Sequence, residues 1–150
     1  MITRREFLVG GLSVALIPKN PAKLKIGVMD GVLRLSGKPQ AVEMAKKMGL
    51  EGLQVTLGRS TDGDRLPLED PQLQASFVAE SKKHKLPLDA TYIDILHVNC
   101  LKNDPLARKW LVKGIEITKN LKARILMTVF FGKCAVLNRQ ELGYVADVFK

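Results

Sequence analysis

The chain has 150 residues, 46% of them hydrophobic and 26% charged, a balance that fits one folded core and sets aside membrane, collagen-like and disordered classes. Its 24 Lys and Arg against 15 Asp and Glu give a net charge of +9, about +7 without the first 22 residues, which favours anionic partners. Many of the lysines, such as Lys82, Lys83, Lys113 and Lys119, fall where helices are expected and read as a solvated face, and no stretch interleaves basic with aromatic residues, so nucleic acid is not an expected partner.

Residues 1–22 read as an export signal. Met1 to Glu6 is a short basic region, and Phe7 to Ile17 is an uncharged apolar run of eleven residues that stops at Pro18. A membrane span needs about twenty such residues, so no stable span is expected. Thr3-Arg4-Arg5-Glu6-Phe7-Leu8 resembles the twin-arginine motif, with Arg4 and Arg5 as the paired arginines. The resemblance implies export to the periplasm by the twin-arginine machinery.

From residue 23 onward one pattern repeats four times: an apolar run, a loop, then an amphipathic stretch. Such alternation predicts βαβ units and a parallel sheet. The first unit has a strand over Leu24 to Met29 and a helix from about Pro39 to Met48, ended by Gly49. The second has a strand over Leu53 to Leu57 and a helix opened by Asp70-Pro71, with Leu73, Phe77, Val78 and Ser81 inward. The third has a strand over Leu88 to Leu96 and a helix opened by Asp104-Pro105, carrying Leu106, Trp110, Leu111, Ile117 and Leu121. The fourth has an apolar strand over Ile125 to Phe131, expected to be buried on both faces. Asn138 with Glu141 then forms a capping box for a last helix bearing Leu142, Val145, Ala146 and Phe149.

Each unit spans roughly 30 to 37 residues, and eight such units make a typical (β/α)8 barrel of about 250 residues. The fold class expected is therefore α/β, the first four βα units of a TIM barrel truncated after the fourth. A small doubly wound α/β domain is the alternative. Half a barrel leaves open sheet edges and an uncovered inner face, so the 150 residues alone are not expected to form a closed-core monomer, and a homo-oligomer is one way of covering them.

No GxGxxG follows the first strand, no GxxxxGK[ST] or GxSxG occurs, and His84 and His97 are not at HExxH spacing. In barrels the chemistry sits where strands end, which singles out Asp30, Arg59, Asp94, His97, Asn99, Lys133 and Cys134. His97 is the candidate catalytic residue, as acid/base or as a partner for a sugar hydroxyl; the alternative is a structural histidine holding its loop. Asp30 could bind a substrate hydroxyl, or Asp30-Gly31 could be an ordinary turn. Lys133 could meet an anionic substrate, or be an exposed loop lysine. Cys100 and Cys134 are read as two free residues in separate loops, although export would permit them to pair. With His97 they offer three soft ligands where structural zinc uses four, so no metal ligand is assigned.

Met44-Ala45-Lys46-Lys47-Met48-Gly49-Leu50-Glu51-Gly52-Leu53-Gln54-Val55 resembles the passage from helix one into strand two of xylose-isomerase-like TIM barrels, the sugar phosphate isomerase/epimerase family. Leu101 to Arg108 leading to Ile117-Thr118-Lys119-Asn120-Leu121 is similar to that family's third loop and helix. Phe130-Phe131-Gly132-Lys133 resembles the end of its fourth strand. Gln54 stands where the family often has Glu. The resemblance implies metal-dependent proton transfer next to a sugar carbonyl, with a sugar or sugar phosphate as substrate and Mn²⁺ or Mg²⁺ as cofactor. It also implies that the metal ligands lie on later strands, so that the 150 residues alone bind no metal and are inactive. A non-catalytic sugar-binding protein of the envelope and an apurinic-endonuclease-like barrel are the competing functions.

Overall fold

A computed structural model describes residues 24–150, so the export signal with Arg4 and Arg5 lies outside the described residues. The chain is α/β: strands β1 (Gly27–Met29), β2 (Gly52–Thr56), β3 (Leu88–Tyr92) and β4 (Ile125–Met127) alternate with helices α1 (Gln40–Lys47), α2 (Pro71–His84), α3 (Ala107–Asn120) and α4 (Arg139–Val148). All pairings are parallel and the sheet order is β1-β2-β3-β4. The pairing continues above the strands, where Asp30 N–H donates to Gln54 O, Leu57 N–H to Tyr92 O and Ile93 N–H to Met127 O.

The two faces of the sheet differ. Leu53, Val55 and Leu57 of the second unit are fully buried, and Gly114 of α3 packs so closely that a Cβ there would meet Leu57, Ile93 and Leu126 at 3.3–3.4 Å. Thr91 points to the same side, its hydroxyl 2.5 Å from that of Thr118 on α3. Alternation in a strand then sends Gln54, Thr56, Tyr92 and Met127 to the opposite face.

Caps behave as their local chemistry dictates. Asp70 Oδ1 accepts from Gln72 N–H at 2.9 Å, and Asn138 Oδ1 accepts from Glu141 N–H at 2.9 Å while Glu141 reaches back to Leu137 N–H. Gly49, at φ +77°, ends α1 in the left-handed conformation. Asp104 instead makes a turn with Leu106 N–H, so α3 starts at Ala107 rather than Pro105.

Three strands are shorter than their apolar runs, β1 starting at Gly27 rather than Leu24. β3 ends at Tyr92, and Asp94–His97 is a 3-10 turn. Ile95 and Leu96 are both buried within that turn. β4 ends at Met127 and is not buried on both faces: Ile125 is 60% and Met127 40% exposed. In α4 only Val145 is buried, while Leu142 and Phe149 are exposed.

Cys100 and Cys134 are not free. They are joined in a disulfide with Cα atoms 4.9 Å apart, because the loops after the adjacent strands β3 and β4 run side by side.

Candidate functional site

Parallel strands in one register bring the loops that follow them to one end of the sheet, so residues distant in sequence meet there. Asp30 follows β1 and is 0% exposed. Its Oδ2 accepts from Gly37 N–H at 2.8 Å and Thr56 N–H at 3.0 Å, and its Oδ1 accepts from the Thr56 hydroxyl at 2.6 Å. The Asp30 carbonyl also accepts from Leu33 and Leu35 N–H, which is the turn that Asp-Gly suggested. With solvent shut out and three donors engaged, Asp30 holds the first loop to the end of β2.

His97 closes the 3-10 turn after β3. The turn curls back, so its Nε2 hydrogen-bonds the Tyr92 hydroxyl and lies 3.7 Å from Asp94 Oδ1. The Phe131 ring meets the imidazole edge to face with centroids 4.4 Å apart. The His97 side chain keeps 20% of its surface and that of Asp94 16%, so both remain reachable from solvent.

Tyr92 is the residue that sequence reading missed. It sits in mid-run in the sequence, yet it is the last residue of β3 on the face opposite the helices. Burial, reinforced by the charge of Asp94 and a hydrogen bond to it, pushes its phenol up to about 12, with the Arg59 guanidinium pulling the other way. Tyr92 therefore keeps its proton in any physiological medium. The phenol and His97 Nε2 are hydrogen-bonded to each other, the imidazole tautomer setting which of them donates, and the Asp94 carboxylate stands beside both. Among the described residues, Nδ1 of His97 makes no hydrogen bond.

Beside this chain opens a cavity of about 360 Å³, with Ser36 and Gly37 from the first loop, Thr56 to Ser60 from the second and Asp94 from the third. Pro67 supplies its apolar wall, with Leu57 and Leu68 buried behind it. Gly58 is required at the rim: its φ is +129°, and a Cβ there would lie 2.5 Å from Pro67 Cδ. A larger cavity of about 600 Å³ lies between α1 and α2, but its charged groups are already paired, Glu43 with Lys47 and Glu80 with Lys83.

Lys133 lies in the 3-10 turn Gly132–Cys134, exposed and without an ion pair among the described residues. The disulfide fastens this turn to the loop of His97. Lys102 adds a second tie, its Nζ donating to Ala135 O at 2.7 Å and pairing with Glu141 at 3.1 Å. The structure thus brings His97, Asp94, Tyr92 and Arg59 together at the strand ends, sets Lys133 in the turn that the disulfide ties to the His97 loop, and buries Asp30 at the end of β1. His84 is remote from them, paired with Glu80 near the end of α2.

Among the described residues no group of three or more His, Cys, Asp or Glu forms a metal-binding cluster, and no helix is long and apolar enough to cross a membrane. No protein-family model matches the chain, and no curated protein matches it.

Proposed function

We propose that this chain is part of a barrel-type sugar isomerase or epimerase, in which His97 moves a proton at the carbon next to a sugar carbonyl. The observation that carries the reading is the Tyr92–His97–Asp94 set at the carboxyl ends of parallel strands arranged in sequential order. A doubly wound sheet reverses its strand order, whereas the units of a barrel follow one another. The order β1-β2-β3-β4 has no reversal and favours the barrel units.

In this reading Nδ1 of His97 takes the proton from carbon, the C–H electron pair becomes the carbon–carbon double bond of an enediolate, and the carbonyl oxygen takes up the negative charge. Return of the proton to the former carbonyl carbon, with the hydroxyl proton passing from the neighbouring oxygen to the enediolate oxygen so that the neighbouring carbon becomes the carbonyl, isomerises the sugar; protonation of the original carbon by solvent on its opposite face, with His97 releasing its proton to solvent, epimerises it. Asp94, beside Nε2 and the Tyr92 hydroxyl, holds the imidazole in its Nε2–H tautomer, leaving Nδ1 as the acceptor. Lys133 is free to meet an anionic group of the substrate, and Asp30 acts indirectly by fixing the first loop. Asp94 and His97 are two donors where a catalytic metal site needs about three, so these residues do not make a site for Mn²⁺ or Mg²⁺, and no step is routed through one. Export by the twin-arginine route is part of the same proposal.

His97→Gln in the full-length protein, assayed for sugar isomerisation in Mn²⁺ buffer, is expected to lower kcat/KM by about 10²- to 10⁴-fold, the range for loss of a general base. An unchanged value would assign the imidazole to holding the loop alone.

A further inference from the structure

The cavity beside Asp94 is built differently from a phosphate cradle. Phosphate sites gather unspent backbone N–H groups and cationic side chains. Here the N–H groups of Gly37 and Thr56, both lining the cavity, are turned away to Asp30 Oδ2. Two aspartates, Asp94 in the wall and Asp30 behind it, stand against one guanidinium, that of Arg59. A doubly charged phosphate entering this space would meet more negative charge than positive and few donors.

What stays open to a ligand is a mixed set. Arg59 is exposed and has no ion pair among the described residues, and the hydroxyls of Ser36 and Ser60 make no hydrogen bond among them. Asp94 supplies acceptor oxygens, and the exposed Pro67 ring supplies an apolar surface, with Leu57 and Leu68 buried behind it. Guanidinium donors opposite carboxylate acceptors, with hydroxyls between, match neighbouring hydroxyl groups on a carbon chain whose C–H edge lies on the apolar wall.

From this we infer that the cavity is a subsite for the uncharged, hydroxyl-bearing end of a sugar, with Arg59 donating and Asp94 accepting, and that it rejects a phosphate group. The inference rests on the reading of the strand ends as a sugar site and goes beyond it in fixing which end of the ligand lies there. Any phosphate would have to project away from Arg59, toward the Lys133 side.

The test is titration of the full-length protein with D-glucose, D-xylose and inorganic phosphate, followed through the backbone amide resonances of Ser36, Gly37, Gly58, Arg59 and Ser60. Either neutral sugar is expected to shift these amides, and phosphate to leave them in place. Arg59→Leu and Asp94→Asn are each expected to weaken the sugar by about tenfold, the loss of one charged hydrogen bond. Sugars that leave these amides unmoved, or phosphate that shifts them at lower concentration, would overturn the inference. Amide shifts without any isomerisation would keep the subsite and reject the isomerase reading, so the two fail separately.

Discussion

Tyr92 shows how one residue draws its properties from two separate loops. Its phenol is buried at the end of β3, faces Asp94 and His97 two and five positions on, and feels Arg59 from the second unit. A phenol raised above its ordinary value near 10 contributes stability that is fully present below that value and lost as pH rises through about 12. Urea unfolding at a series of alkaline pH values should therefore show a fall between pH 10 and 12 that is smaller in Tyr92→Phe; equal slopes would remove Tyr92 as its source. The same scale shows what a sequence can reveal. The Asp30-Gly31 turn is local and was readable, whereas His97, expected one residue past a strand ending at Leu96, stands five residues past the end of β3 in a 3-10 turn. The partners of Asp30 at Thr56 lie 26 residues away, and no local pattern announces them.

Among the elements, the caps were legible because a cap is written within four residues, as at Asp70 and Asn138. The ends of β3 and β4 were not. An apolar run records burial without saying whether the backbone stays extended, and Ile95 and Leu96 are buried from a 3-10 turn rather than from a strand. The Cys100–Cys134 link was equally hidden, since it depends on two loops 34 residues apart becoming neighbours. Closing a loop of that length is worth about 3 to 4 kcal/mol on the chain-entropy estimate. Cys100→Ser with Cys134→Ser should lower the unfolding free energy by about that amount in urea melts, with Lys102 still tying the loop bases together. A change under about 0.5 kcal/mol would mean that the reduced chain is already constrained.

For the molecule as a whole, sequential strand order and an open inner face are the features that the proposed barrel accounts for. Ile125 at 60% and Met127 at 40% exposure are apolar residues on a face that further barrel strands would cover. The repeated βα alternation was readable because each unit carries its own turn and cap signals; the crevice was only partly readable because three units contribute to it. Export belongs to this scale too: replacing Arg4 and Arg5 together by Lys is expected to leave a reporter fusion inside the cell, and unchanged export would contradict the twin-arginine reading. The most direct test of the central claim is solvent exchange at carbon. The full-length protein, incubated with D-glucose, D-xylose or their ketose counterparts in D₂O with Mn²⁺, should place deuterium at the carbon next to the carbonyl, detected by proton NMR, and His97→Gln should abolish the exchange. Absence of exchange with every sugar, or equal exchange in the variant, would contradict proton transfer by His97.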